Sequence, residues 1–223
     1  MIEIKRLTHS SVLIRSGDMK IYIDPYMPDT PTEKVKKIYR DLEKGDVILI
    51  THPHHDHCDP ETFEDMLKEE SKIIASVACE DKIEHDFIGL EIGDDLTIDG
   101  IEIKSTHAYN VKRKRDSGEP FHPKGEGMGY LITIDDYTIY HPGDTEKIPE
   151  MEELKGIDLA FLPIDGTYTM NIDEAVRAAK TIESNIVIPF HEREADPEEF
   201  KKRLGSEDEI IVKLLQEGES LQI

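Results

Sequence analysis

The chain of 223 residues is poor in cysteine, in basic residues and in long apolar runs, and each shortage excludes a class of protein. Two cysteines, Cys58 and Cys79, are too few for a disulfide framework, which indicates a reducing compartment. No stretch approaches the roughly 18 consecutive apolar residues of a membrane-spanning helix. The first residues, Met-Ile-Glu-Ile-Lys, do not resemble a signal peptide. We therefore predict a cytoplasmic protein.

The shortage of basic residues is the clearest signal in the composition. The chain has 27 Lys and Arg against 49 Asp and Glu, a net charge of −22. Nucleic acids and anionic membranes both require a basic binding surface, so neither is expected as a partner. Most of the acidic charge is expected to lie on a solvated surface.

The order of predicted elements indicates the fold class. A mass of 25.5 kDa allows one sizeable domain, and we predict a single domain over residues 1–223. Short strands outnumber helices, and helices fall between groups of strands. The strand at 47–50, the hairpin around Asp135-Asp136 and the amphipathic helix capped by Asn171 are typical of this pattern. We predict an α/β fold with two sheets and helices outside them.

Residues 51–59 are unusually rich in metal-binding side chains and follow the apolar strand Val47–Ile50 directly. These side chains are His52, His54, His55, Asp56 and His57. A single histidine is ordinarily a satisfied core or surface residue. Four imidazoles and a carboxylate beyond a buried strand, however, all need a partner, and a metal ion supplies one.

The spacing within this stretch indicates how the ions would be held. His52 and His54 lie two residues apart and can converge on one ion, whereas Asp56 and His57 can reach a second. Imidazole suits zinc, copper, iron and nickel, and the carboxylate keeps zinc, iron and manganese in play.

Other predicted strands also end in a residue that can bind metal. Asp24 follows the strand at 21–23, Asp144 follows the strand at 138–140, and His191 follows the strand at 186–190. Strand ends that share one edge would bring these groups together in a cleft.

The combined motifs resemble the metallo-β-lactamase superfamily. They are His-x-His-x-Asp-His at 52–57, Gly-Asp-Thr at 143–145, and the strand that ends in His191. More closely, the chain resembles the branch that includes ascorbate-6-phosphate lactonase and related metal-dependent hydrolases. The finer match lies in His9-Ser10, Asp24-Pro25-Tyr26, Ala108-Tyr109-Asn110, Phe121-His122-Pro123-Lys124-Gly125, Tyr140 to Thr145, Leu162 to Met170 and Ile188 to His191.

The resemblance implies an αββα sandwich, two mixed sheets flanked by helices, with two divalent metal ions. Zinc is the first expectation, with manganese or iron as alternatives. His52 and His54 would hold the first ion, and Asp56, His57 and His191 the second, with Asp144 bridging. His122 would complete the first site, with His107 as the alternative. His141 is not expected to be a ligand.

The implied chemistry is hydrolysis by a hydroxide shared between the two ions. Asp56 would also act as the catalytic group that accepts a proton from the nucleophile, and Asp24 would orient ligand imidazoles. Residues expected to contact substrate are His9, Tyr109, Asn110, Lys124 and Tyr168. The basic run Lys112–Arg115 is either a lid that attracts an anionic substrate or a solvated loop.

We therefore predict a metal-dependent hydrolase of a small ester, lactone or phosphodiester. A nuclease-type phosphodiesterase is the first alternative, and the net charge of −22 argues against it. A non-catalytic metal-binding protein is the second, and the nearly complete ligand set argues against that. Self-association into a homo-oligomer stays open.

Overall fold

The computed structural model describes residues 1–205 and 209–223. In this part of the chain, the helices are α1 (Glu33–Arg40), α2 (Pro60–Glu64), α3 (Ile172–Ile182) and α4 (Pro197–Leu204), with 3₁₀ turns at Val77–Cys79 and Pro149–Glu153. The strands are β1 (Ile2–Arg6), β2 (Val12–Ser16), β3 (Met19–Ile23), β4 (Val47–Ile50), β5 (Lys72–Ser76), β6 (Ile88–Leu90), β7 (Asp95–Ile98), β8 (Ile101–Ala108), β9 (Gly127–Ile134), β10 (Tyr137–His141), β11 (Leu159–Pro163), β12 (Ile186–Phe190), β13 (Ile211–Val212) and β14 (Ser220–Gln222).

The chain divides into two compact units, each with its own sheet. The first unit comprises Met1–Leu90 and Leu215–Ile223. Its seven strands follow the order β14-β1-β2-β3-β4-β5-β6. Pairing is antiparallel from β14 to β3 and parallel from β3 to β6, so the sheet is mixed. A buried apolar cluster that includes Tyr22, Ile48 and Phe63 packs within this unit.

The second unit is Glu91–Leu214, and its sheet also has a parallel part and an antiparallel part. Its strand order is β13-β12-β11-β10-β9-β8-β7, parallel from β13 to β10 and antiparallel from β10 to β7. A buried cluster around Leu162, Ala179 and Phe200 joins this sheet to α3 and α4. Two mixed sheets with few helices confirm the predicted fold class.

Local sequence explains where the helices begin. The Asn171 side chain accepts a hydrogen bond from the Glu174 amide, and the Glu174 carboxylate accepts one from the Asn171 amide, which completes a capping box. Asp59 and Asp196 cap α2 and α4, each followed by a proline that fits the first helical position. The sequence predicts all three starts, since Asn171, Asp59-Pro60 and Asp196-Pro197 are typical helix N-termini.

The structure also differs from the predicted elements. The sequence predicts a helix over residues 32–44, but α1 covers only Glu33–Arg40, because Thr32 is its N-cap and the chain leaves helical geometry at Asp41. The apolar stripe of Phe63, Met66 and Leu67 predicts a helix that contains all three, but α2 ends at Glu64. Strand β14 was not predicted, because its three residues are too few to show a strand pattern and form a strand by pairing with β1.

Among the described residues, no helix has the length and apolar character needed to cross a bilayer.

Candidate metal centre

In the first unit, the candidate ligands follow the carboxyl ends of two neighbouring parallel strands. Ile23 of β3 pairs with Leu49 of β4, and the Asp24 amide donates to the Leu49 carbonyl at 2.9 Å. Asp24 therefore lies beside Thr51 and His52, which directly follow β4. In open sheets, the carboxyl ends of parallel strands are where ligands ordinarily bind.

Asp24 organises this group through a network of hydrogen bonds. One carboxylate oxygen accepts from the Thr51 amide at 2.8 Å. The other accepts from the Thr51 hydroxyl at 2.6 Å and lies 2.7 Å from Nδ1 of His57. The Thr51 hydroxyl in turn lies 2.9 Å from Nδ1 of His52. A fully buried carboxylate thus fixes the tautomers of two imidazoles.

The remaining members of the histidine stretch lie close to this network. Nε2 of His52 is 3.1 Å from Nδ1 of His54. His9, Asp56 and His57 each place one ligand atom within 4.8 Å of the other two. His55 is different, because its side chain is 71% exposed and its Nδ1 lies 3.8 Å from Asp56.

In the second unit, three candidate groups follow the carboxyl ends of β10, β11 and β12. Asp144 comes three residues after β10, Asp165 two after β11, and His191 directly after β12. His191 lies between the two acids, with Nε2 at 3.3 Å from Asp144 and Nδ1 at 2.8 Å from Asp165. Its backbone is left-handed, with φ of 49°, an uncommon conformation that clusters at functional sites.

Asp144 and Asp165 both favour the protonated form of His191 in the metal-free chain. Burial by itself lowers the pKa of this imidazole, but the charges and hydrogen bonds of Asp144 and Asp165 outweigh it and raise the pKa to about 10. The same contact with His191 holds the pKa of Asp165 below its ordinary value, although burial opposes the change. A cation bound at Asp144 would therefore replace a proton.

His122, rather than its alternative His107, lies beside Asp144. Nε2 of His122 is 3.2 Å from the Asp144 carboxylate. The amide oxygen of Asn110 accepts from the His122 backbone at 2.7 Å and lies 2.9 Å from Nδ1 of the ring. The His107 ring packs edge-on against Tyr109, with 6.3 Å between centroids.

His141 was not expected to be a ligand, and its surroundings are apolar. It is fully buried at the end of β10, with its ring against Phe161 and Phe190. Its Nδ1 lies 3.3 Å from the Gly143 amide, which stabilises the turn before Asp144.

The donor set in each unit fits divalent metal ions. Four histidines have an oxygen acceptor at Nδ1, as ligand histidines in metalloproteins almost always do: Thr51 for His52, Asp24 for His57, Asn110 for His122 and Asp165 for His191. With Nδ1 occupied in this way, Nε2 is the nitrogen of each ring that could bind a metal ion. Imidazole and carboxylate donors together suit zinc, manganese or iron.

The residues predicted to contact substrate differ in their surroundings. His9 lies 3.3 Å from Asp56. Both polar atoms of the Asn110 side chain already have partners in the protein. Its oxygen contacts His122, and its nitrogen donates to the Tyr168 carbonyl at 2.7 Å. Lys124 pairs with Glu150 at 2.7 Å and lies over the Tyr109 ring. The Tyr168 ring contacts Phe121 and the guanidinium of Arg193.

In the basic run Lys112–Arg115, three residues are exposed, as a solvated loop predicts, and Arg113 is the exception. Arg113 is 14% exposed and forms ion pairs with Glu146 and Glu174. The expectation of a solvated loop was wrong for this residue, because the sequence does not reveal that two distant carboxylates converge on it.

Sequence reasoning assigned no role to Thr51 or Asp165, which orient His52 and His191. Thr51 lies within the histidine stretch, and its hydroxyl next to His52 is the feature from which this role could have been predicted. Asp165 lies in Ile-Asp-Gly-Thr, which is also a common turn sequence. Only the pairing of Pro163 with Phe190 brings it next to His191.

Comparison with known proteins agrees with this geometry. A family model described as a beta-lactamase superfamily domain matches residues 3–191. The UPF0173 metal-dependent hydrolase of Thermococcus kodakarensis is 35% identical, and the alignment covers all of both chains. A solved structure from Parabacteroides distasonis is 33% identical with a TM-score of 0.86, covering 96% of this chain and 94% of that one. Igni18, a metallo hydrolase from Ignicoccus hospitalis, is 27% identical with a TM-score of 0.81, covering 99% and 97%.

The fold and the ligand motifs thus define a metallohydrolase class, and the predicted resemblance is confirmed. The chain belongs to the metallo-β-lactamase superfamily, within the UPF0173 family of metal-dependent hydrolases.

Proposed function

We propose that the chain hydrolyses a small ester, lactone or phosphodiester with the help of two divalent cations. Zinc is the first candidate, with manganese or iron as alternatives. The proposed ligands are those that the motifs imply: His52, His54, Asp56, His57, His122, Asp144 and His191. The supporting observation is that four of these histidines each have an oxygen acceptor at Nδ1, at distances from 2.7 to 2.9 Å.

Such cations, when bound, polarise the carbonyl or phosphoryl group under attack and lower the pKa of water to about 7. The chain supplies the proton transfers and the orientation. Asp56 accepts the proton of the attacking water, and its side chain is 26% exposed and therefore accessible. His9, 3.3 Å from the Asp56 carboxylate, holds that carboxylate in place.

The substrate is proposed to be a small molecule rather than a nucleic acid. The net charge of −22 opposes a polyanion, because the phosphates of a long nucleic acid would meet a mostly acidic surface. We propose a cytoplasmic location and no membrane partner, in line with the two unpaired cysteines.

Metal analysis of the purified protein, followed by assays on phosphodiester, thioester and lactone panels, tests this function. We expect two equivalents of metal and turnover of at least one panel. Asp56→Ala should lower turnover by roughly 100-fold or more, because a positioned proton acceptor contributes at least that much. His191→Ala should also lose metal.

His85→Ala is the matched control. His85 lies in the first unit, is 46% exposed and pairs with Glu64, so its loss should leave metal content and turnover unchanged. Turnover that survives in Asp56→Ala or His191→Ala would contradict the proposed mechanism.

A further inference from the structure

Glu146, two residues after Asp144, is a buried carboxylate that binds backbone rather than solvent. Its side chain is 2% exposed. It accepts hydrogen bonds from three consecutive amides, those of Val111, Lys112 at 2.6 Å and Arg113 at 3.0 Å. Successive amides that point the same way form a site for an anion, and here the chain's own carboxylate fills it.

Arg113 extends this contact to two further segments. Its guanidinium pairs with Glu146 and, at 2.7 Å, with Glu174 in the first turn of α3. Its Nε donates to the Gly166 carbonyl at 2.9 Å. The planar fork of an arginine can hold several acceptors in fixed directions, which a lysine cannot.

The segments joined in this way carry the candidate metal groups of the second unit. Asn110 orients His122, and Glu146 lies two residues after Asp144. Gly166 directly follows Asp165, the partner of His191. The Glu146 amide also donates to the Tyr109 carbonyl at 3.1 Å. The backbone that leads into Asn110 is therefore fixed on both sides.

We propose that Glu146 and Arg113 are positioning residues of the metal centre, which hold Asn110 so that His122 stays 3.2 Å from Asp144. The inference rests on the proposed function, because His122 and Asp144 are ligands only there. Neither residue contacts the reacting atoms. Outer partners of metal ligands change metal affinity by roughly 10- to 100-fold when they are removed.

A purely structural ion pair is the competing explanation. Buried ion pairs contribute little net stability, and apolar residues of similar volume often replace them without loss. A structural role would lower the unfolding temperature without changing the affinity of the folded protein for metal. Metal affinity therefore separates the two explanations.

The test is the affinity for Zn²⁺, measured by competition with a chromophoric chelator, together with the visible spectrum of the Co²⁺-loaded protein. In Glu146→Gln the charge is lost and the amide nitrogen cannot accept from the backbone. We expect the Kd for Zn²⁺ to rise by roughly 10- to 100-fold, with an altered Co²⁺ spectrum. Arg113→Lys keeps the charge but not the fork, and should give a smaller rise.

Phe200→Leu is the control for stability, because Phe200 is fully buried in the same unit and lies outside this network. It should lower the unfolding temperature and leave the Kd within twofold of wild type. A Glu146→Gln Kd within twofold of wild type overturns the inference and leaves the proposed function intact. If Glu146→Gln does not fold, Arg113→Lys decides by the same twofold criterion. A wild-type protein that binds no Zn²⁺ overturns the proposed function itself.

Discussion

At the scale of single residues, a ligand histidine needs one nitrogen fixed so that the other can bind metal. Asp24 does this for His57 directly and for His52 through the hydroxyl of Thr51. The chain reaches this arrangement at Asp24 with a left-handed backbone, φ of 45°. Such conformations cost about 1–3 kcal/mol and persist where the surroundings enforce them, as the contacts to this carboxylate and its backbone do here.

Replacement of Asp24 by Asn tests this role. The Asn amide nitrogen would be a donor where His57 Nδ1 and Thr51 require an acceptor, so the imidazole tautomers would no longer be fixed. We expect roughly 10- to 100-fold weaker zinc binding by competition titration.

Asp46→Asn serves as the control for that substitution. Asp46 also accepts from a backbone amide, that of Lys20 at 2.8 Å, within the same unit. Its loss should cost some stability without changing zinc affinity. Equal zinc affinity in Asp24→Asn and wild type would show that Asp24 does not orient the ligands.

The sequence predicted ligand-type residues better than the partners that orient them. The histidine stretch is recognisable because several polar side chains follow a buried strand at close spacing. Asp165 is not, because an aspartate before glycine is ordinary turn chemistry. Its role depends on the parallel register of β11 and β12, which no local pattern encodes.

At the scale of elements, parallel strands in each unit end side by side, and the residues that follow them carry candidate metal-binding side chains. Local patterns were sufficient to predict β4, β12 and the capped helix α3. The short strand β14 depends on pairing with β1, which is distant in sequence, so periodicity alone could not predict it.

Gly129 illustrates how tightly the elements around Asp144 pack. It lies in β9 opposite Thr106, and a Cβ there would stand 2.8 Å from the carbonyl oxygens of His141 and Pro142 and from the Thr106 hydroxyl. Because two of these atoms are backbone, Gly129→Ala should shift the turn before Asp144. We expect a loss of about 1–3 kcal/mol in the free energy of unfolding, measured with urea.

Gly89→Ala is the matched control for Gly129→Ala. Gly89 also lies in a strand, but its added Cβ would meet the side chain of Val77, which is 45% exposed and can move. The change should stay within about 0.5 kcal/mol. An equally small effect at Gly129 would mean that the 141–142 backbone yields without cost.

At the scale of the whole molecule, a net charge of −22 complicates any test of metal binding. Any divalent cation screens the repulsion of so acidic a chain and can raise its stability without a specific site. In the metal-free state, His191 is protonated between Asp144 and Asp165, since these acids raise its pKa to about 10. The imidazolium of His191 then offsets part of the charge of these two acids, so we expect the metal-free chain to remain folded at neutral pH.

Removal of metal with a chelator should therefore lower the temperature of thermal unfolding without unfolding the protein at 25 °C. Addition of Zn²⁺ at 100 times its Kd should stabilise the folded state by about 2.7 kcal/mol, because the ion binds the native chain only. Mg²⁺ at the same concentration measures screening alone, since it favours oxygen ligands and octahedral geometry over imidazole. His191→Ala should retain the Mg²⁺ effect and lose most of the Zn²⁺ effect, whereas His85→Ala should keep both. Equal stabilisation of the wild-type protein by Zn²⁺ and Mg²⁺ would mean that the acidic surface, and not the histidine centre, is responsible.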